Sequence, residues 1–126
     1  MNKYLVENDI LIDYLTNSDS LNSSLIRLMQ SGICFTTVLN ASELLASCND
    51  NVEEKLVRHV LDSLKVLGIH SRYALRIKDF TDNTFNLRDA LIAVVSSINK
   101  IPIVTFDKER YKKTNLKIIH PQELRE

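Results

Sequence analysis

Residues 86–100, "NLRDALIAVVSSINK", constrain the fold more than any other stretch of the chain. Beyond its first turn a helix here is apolar or small on nearly every face, so it has no side to give to water and should lie in the interior. "IPIVTF", bounded by Pro102, follows at once and reads as a strand. The same alternation of strand and helix runs through the rest of the chain. "KYLV" is a short buried strand and "DILIDYL" a helix. "DSLNSSLIRLMQSG" places Leu21, Leu25 and Leu28 at helical spacing with Gly32 as the stop. "ICFTTV" is a second strand, and "NASELLAS" opens a helix with Asn40 as N-cap. "NVEEKLVRHVLDSLKVLG" is an amphipathic helix with Val52, Leu56, Val60 and Leu64 on one stripe and Gly68 as the stop. A short extended "IH", a helix over "SRYALRIKDF" and a last strand "LKII" complete the order.

Strands separated by helices need crossover connections, which makes the sheet mainly parallel and covers both of its faces. The expected fold class is therefore α/β, a three-layer α/β/α sandwich, in one domain over residues 1–126. Only two Gly and two Pro interrupt the chain, which argues against a turn-rich all-β fold. There is no repeat, low-complexity tract or linker. The longest apolar run, Ala90 to Val95, falls far short of the roughly 20 residues that span a bilayer. The start turns acidic by Glu7 and lacks the pattern of a signal peptide, so a cytoplasmic protein without membrane partners is expected. Cys34 and Cys48 form no CxxC pair and read as reduced thiols, which suits that compartment.

The net charge of zero hides a split. Residues 1–63 carry 4 Lys/Arg against 9 Asp/Glu, and residues 64–126 carry 12 against 7. An acidic metal site with a basic rim for a phosphate backbone gives such a split, and so do ordinary solvated helix faces. In open parallel sheets ligands bind beyond the carboxyl ends of the strands. Glu7 and Asp9 follow the first strand, Glu43 lies one turn into the helix after the second, and Asp89 lies one turn into the apolar helix. Asp107 directly follows "IPIVTF". Carboxylates brought together in this way repel one another unless a cation joins them, and Mg²⁺ or Mn²⁺ prefers such hard oxygens. Each acid also has a plainer explanation. "NASE" and "NLRD" place an acid three residues after Asn, as in a helix N-terminal box, and Asp9 can cap the helix that holds Asp13. Asp107 suits a turn. His59, His70 and His120 lack ligand spacing, and there is no nucleophile elbow, P-loop or dinucleotide fingerprint. Arg72, Arg76, Lys78 and "DKERYKK" could touch RNA phosphates or be plain helix surface.

Taken together these phrases resemble a PIN domain, in particular the short bacterial type found as the toxin of VapBC toxin–antitoxin pairs. The resemblance runs over essentially the whole chain. The family opens with a strand, Asp-Thr-Asn, an apolar triplet and Asp; this chain has "YLVENDILIDYL", matching the triplet and Asp13. The second family acid is matched by Glu43 in "TTVLNASELLAS", the third by Asp89 in "LRDALIAVV" and the fourth by Asp107 in "IPIVTFD". The chain departs from the pattern at Glu7-Asn8-Asp9, where Glu7 stands for the first acid and is one methylene longer. The resemblance implies a Mg²⁺- or Mn²⁺-dependent ribonuclease with Glu7, Glu43, Asp89 and Asp107 as its acids, and with Glu7, Asp89 and Asp107 on the metal, which would orient a water and offset charge on the scissile phosphate. Asp9, Asp13 and Thr105 would support these, and Arg88 and Lys108 would meet RNA. It also implies a homodimer and a small antitoxin partner, docked near Leu11, Ile12, Leu15, Leu25 and Leu28. The alternative is a catalytically impaired PIN module that binds RNA or protein. A phosphoacceptor receiver domain does not fit, because the middle strand runs into Asn40 and the last ends in "KIIHP".

Overall fold

The computed structural model describes residues 1–124. Its centre is a five-stranded sheet built from β1 (Asn2–Val6), β2 (Gly32–Thr37), β3 (Lys65–Leu67), β4 (Ile103–Val104) and β5 (Ile118–Ile119). The spatial order is β3-β2-β1-β4-β5 and every pairing is parallel. The helices are α1 (Asn8–Thr16), α2 (Ser24–Ser31), α3 (Val38–Ala46), α4 (Asn51–Asp62) and α5 (Leu87–Asn99), with 3₁₀ turns at Ser20–Asn22, Ser71–Asp79, Lys108–Tyr111 and Pro121–Leu124.

Two separate apolar cores show the layers. Tyr4, Val6, Cys34, Val104 and Ile119 point to one face, where they meet Ile10 and Leu11 of α1, Leu25 and Leu28 of α2, Leu44 of α3 and Val57 and Val60 of α4. Leu5 and Ile103 point to the other face, onto α5 and onto Tyr73 and Phe80. The alternation Tyr4–Leu5–Val6 is the period of two that a strand buried on both faces requires. As its composition demands, α5 is buried on Ala90, Ile92, Ala93, Val94 and Val95. The fold is thus the expected three-layer α/β/α sandwich.

Several local expectations are corrected. The helix expected over 51–68 stops at Asp62, and Lys65–Leu67 instead form β3, bonded along β2 from Phe35↔Lys65 to Thr37↔Leu67. Pairing the open edge of β2 outweighs the helical pattern of "DSLKVLG". The buried stripe of α4 is Val57 and Val60, continued by Leu64, while Val52 and Leu56 are exposed. Leu21 sits in a 3₁₀ turn and is also exposed. The helix expected from Ser71 is 3₁₀ in geometry, and "IH" joins no strand. Gly32 stops α2 as expected: it is the C-cap of that helix, extended at φ −177°, and also the first residue of β2. Its lack of a side chain matters because a Cβ there would overlap the Asn2 carbonyl of β1. Cys34 and Cys48 are free thiols, and burial pushes that of Cys34 up to about 12. Among the described residues no helix is long and apolar enough to cross a membrane.

Candidate active site

The chain leaves β1 in one direction through β2 and β3 and returns on the other side as β4 and β5, so the sheet reverses between β1 and β4. Crevices at such reversals, beyond the carboxyl ends of the strands, are where open α/β sheets hold ligands. A cleft of about 700 Å³ lies there, lined by acids (Glu7, Asp9, Glu43, Asp107), by Arg88 and Arg110, and by Asn8, Asn86 and Thr105.

Glu7 is the residue at which β1 becomes α1. Its N–H still donates to the Val104 carbonyl at 3.0 Å, and as N-cap of α1 it is extended, at φ −80° and ψ 166°. Its side chain does not cap the helix. It turns inward and is 3% exposed. Oε1 accepts from Asn40 Nδ2 and Arg88 Nη2, both at 2.8 Å, and Oε2 accepts from Arg88 Nη1 at 2.6 Å and from the Tyr111 hydroxyl. Burial alone would push this carboxyl up; the hydrogen bonds and charge of Arg88, with Tyr111 and Asn40, hold it below the ordinary Glu range instead.

Asn40 is aimed by a helix cap, though not the one expected. Thr37 is the N-cap of α3, and Asn40, three residues on, completes a capping box whose Oδ1 accepts from the Thr37 N–H at 3.2 Å. With its oxygen committed to the cap, its amide nitrogen faces Glu7. Tyr111 comes from the 3₁₀ turn inside "DKERYKK"; it is fully buried, and burial and the Glu7 charge raise its phenol well above the usual value.

Arg88 stands at the middle of the acids. It projects from the first turn of α5, which is started by Asn86, whose Oδ1 accepts from the Asp89 N–H at 2.8 Å. Its Nη1 and Nη2 take the two oxygens of Glu7. Nε and Nη2 reach Glu43 Oε1 at 3.1 and 2.9 Å, and Nη1 reaches Asp89 Oδ1 at 3.2 Å. A guanidinium has five N–H groups, and all five are used. Such forked, charge-assisted pairing is the strong kind. Asn8 Nδ2 adds a bond to Glu43 Oε1 at 2.9 Å. Arg110 then links Asp89 Oδ1, at 3.4 Å, with Asp107 Oδ2, at 3.6 Å. Two arginines thus gather Glu7, Glu43, Asp89 and Asp107 from four segments.

Asp89 is fully buried and its Oδ2 has no hydrogen-bond partner. Burial pushes its carboxyl up, Arg110 and Arg88 oppose this, and the Glu7 charge adds to the rise. Asp9 does not cap α1. Its Oδ2 accepts from Thr105 Oγ1 at 2.6 Å and from the Phe106 N–H at 2.9 Å, tying α1 to the end of β4, while its Oδ1 is buried without a partner. Burial raises its carboxyl, against those two bonds and with a push from Glu7. Thr105 also accepts from the Asp107 N–H at 3.1 Å.

Other expected residues lie elsewhere. Asp13, one turn beyond Asp9 on α1, is not among the cleft residues. Lys108 pairs with Glu123 at 2.6 Å, and Arg88 is occupied by acids rather than free for RNA. Leu11, Leu25 and Leu28 are core residues; Ile12 and Leu15 instead line a shallow groove of about 300 Å³ with Leu44, Leu56 and Val57. Sequence reasoning missed Tyr111 and Asn8, held Arg110 only as part of a basic run that could touch RNA, and gave Asn40 a different role.

In kind, the donors suit a hard cation. In arrangement they do not: among the described residues no three His, Cys, Asp or Glu side chains are placed to share one ion. The acids are set around a guanidinium.

The PIN domain family model matches residues 4–116. No curated protein matches the chain in sequence. Among solved structures it is similar to VapBC2 from Rickettsia felis, bound to a DNA fragment from its promoter, with TM-score 0.78, 15% identity and coverage of 94% of this chain and 98% of that one. It is similar to VapBC-1 from nontypeable Haemophilus influenzae, with TM-score 0.77, 14% identity and coverage of 95% and 98%. It is also similar to VapC20 of Mycobacterium tuberculosis, a toxin that cleaves the sarcin-ricin loop, with TM-score 0.62, 13% identity and coverage of 83% and 90%. With the family model spanning nearly all of a sheet, helix order and acidic cleft of this form, the chain belongs to the PIN-domain family.

Proposed function

We propose that this chain is a Mg²⁺- or Mn²⁺-dependent endoribonuclease of the toxin type, with Glu7, Glu43, Asp89 and Asp107 as its acids and a small antitoxin as its partner. The observation that carries the reading is that Arg88 and Arg110 join these four acids at the reversal point of the sheet, Glu7, Glu43 and Asp107 lining one cleft there and Asp89 buried behind the two arginines. Two of the structural relatives are VapBC proteins by their own descriptions, and a third is a toxin that cleaves the sarcin-ricin loop. A backbone phosphate entering the cleft would meet Asn8, Asn86 and Arg110. Arg110, 39% exposed and held only by contacts of 3.4 and 3.6 Å, is the cation best placed to meet one. Asp9 and Thr105 act on position, fixing α1 against the turn that carries Asp107. The groove between α1, α3 and α4 shares Ile12, Leu44 and Ser47 with the cleft, so a helix docked there would extend to its mouth. A homodimer in the cytoplasm is part of the same reading.

A second reading is favoured by one observation. Both oxygens of Glu7 are already filled by Arg88, Asn40 and Tyr111, as in a carboxylate kept for structure. On that reading the chain is an impaired PIN module that binds RNA or protein. Cleavage of a mixed RNA pool, with Mg²⁺, with Mn²⁺ and with chelator, separates the two. The nuclease reading expects cutting that stops with chelator and is abolished in Asp89→Asn, whose melting temperature stays equal or rises because a buried charge disfavoured by its surroundings is removed. Equal RNA binding with and without metal and no cutting refutes it in favour of the binding module.

A further inference from the structure

We propose that a second, smaller cleft beside the acid centre, between residues 82–85 and 109–113, holds one unpaired nucleotide of an RNA strand, its base on the Phe85 ring and a phosphate on Lys112 and Lys113. The inference rests on reading RNA as the ligand of the larger cleft.

The smaller cleft has a volume of about 290 Å³, and Phe85, Lys112, Lys113, Asp82 and Glu109 are among the residues that line it. It is bounded by the same two segments as the acid cleft. Phe85 immediately precedes Asn86, which lines the acid cleft and caps α5. Glu109 immediately precedes Arg110, which also lines the acid cleft. The fully buried Tyr111 pins the second segment between Arg110 and Lys112. Consecutive Cα atoms are about 3.8 Å apart, so the two clefts are neighbours, and a strand whose phosphate meets Arg110 passes the smaller one next.

Phe85 is 67% exposed, yet the loop that carries it is tied down. The buried Phe80 anchors the start of this loop, and its carbonyl accepts from the Asn83 N–H at 3.1 Å and from the Thr84 hydroxyl at 2.7 Å. At the other end Asn86 is fixed by its bond to the Asp89 N–H. An ordered loop thus presents a large ring whose surface the fold does not use. Every base has a π-face, and proteins that hold single strands combine such rings with cations that follow the backbone. The cations are in place. None of the ion pairs among the described residues uses Lys113. Lys112 pairs with Glu109 at 2.9 Å, but both side chains are mostly exposed, so the pair is weak and Lys112 can turn to a phosphate. Asp82 has the chemistry to accept from a base amino group or a ribose 2′-hydroxyl. In a duplex the bases stack on one another and are not free to meet the ring, so the strand must be unpaired here.

The test is RNA binding by the full chain in chelator, where nothing is cut, read by fluorescence anisotropy. The probes are a labelled single-stranded RNA of mixed sequence and its duplex. Phe85→Leu keeps apolar bulk without the ring, and is expected to bind the single strand at least about fivefold more weakly while duplex binding changes less than about twofold. Phe85→Trp is expected to bind the single strand at least as tightly as wild type. Lys112→Gln with Lys113→Gln should lower the slope of log affinity against log salt by about 0.7–1.4. Equal single-strand binding by wild type and Phe85→Leu, an equal loss on the duplex, or no RNA binding by wild type overturns the proposal. So does a change in oligomeric state on gel filtration without a change in affinity, which would assign Phe85 to a contact between copies. Cleavage of the same RNA with Mg²⁺ separates this from the nuclease reading. A wild type that binds through Phe85 and never cuts keeps the nucleotide site and defeats the nuclease. A chain that binds and cuts equally with and without the ring does the opposite.

Discussion

Removing one oxygen atom tests how the acid centre is held together. In Tyr111→Phe the ring still fills its buried place, and only the hydroxyl that donates to Glu7 Oε2 is lost. Glu7 keeps Arg88 and Asn40, so its charge is not stranded. A hydrogen bond to a charged group contributes about 1.5–3 kcal/mol. For a chain of this length each kcal/mol is worth roughly 3–5 °C of melting temperature, so a fall of roughly 5–15 °C is expected. The pH dependence identifies the cause. The Glu7 carboxyl is lowered in the folded state from an ordinary value of 4.5, so its stabilisation is fully present above that value and is lost as pH falls through the lower, folded one. Without the Tyr111 bond the folded value rises, so wild type and Tyr111→Phe should differ most near pH 7 and converge in strong acid. Urea unfolding across this range, repeated in a Glu7→Gln background, closes a double-mutant cycle. The expected coupling is about 1–2 kcal/mol, because a neutral amide accepts a weaker bond. A cost below about 0.5 kcal/mol at pH 7, or one that is the same at every pH, would refute the account of Glu7 as a carboxylate kept charged by its donors.

Gly32→Ala should destabilise by about 1–3 kcal/mol in urea unfolding, since its Cβ meets the Asn2 carbonyl rather than a side chain that can rotate away. Glu7→Asp, which restores the acid usual in the family, withdraws the carboxylate by about one bond length and should lose roughly 2–3 kcal/mol of stability with its bonds to Arg88 and Tyr111. RNA cleavage measured in parallel should be retained or raised, and a variant as stable as wild type would show that the length of Glu7 is not what the site uses.

The layers were legible because the signals that define them are local and strong. α5 could only be an interior helix, and β1 and β2 are short apolar runs separated by helices, which forces crossovers. The boundary between α4 and β3 was not legible for the opposite reason. "DSLKVLG" continues the helical period, and only the open edge of β2, 30 residues earlier in register, turns it into a strand. The acids were readable from their places just past strands or one turn into helices. Their partners were not. Arg88 bonds to residues 81 and 45 positions away, and a charged residue in a first helical turn looks like surface until the sheet order is known. Tyr111 was hidden inside a basic run, where nothing but the 3₁₀ turn carries the ring inward while its lysine neighbours stay outside.

The charge gathered after the first strand is therefore not explained by helix capping. Glu7 caps α1 with its backbone alone, and Asp9 spends its bonds on the end of β4. Nor does burial favour the cluster, because it raises the carboxyls of both Asp9 and Asp89. An ionised carboxylate as deeply buried as Glu7 is tolerated only beside a partner, and removing one member of a buried pair typically costs about 3–5 kcal/mol. Glutamate at this position supplies the reach for that pairing: its longer arm sets both oxygens against the two ends of one guanidinium while Tyr111 and Asn40 complete them. Five acids nevertheless face only two arginines, and two buried oxygens still lack partners. A structural ion pair alone would not leave that excess of acids. The residual negative charge is a property of the place rather than of any one residue, and an anion that enters the cleft would meet it.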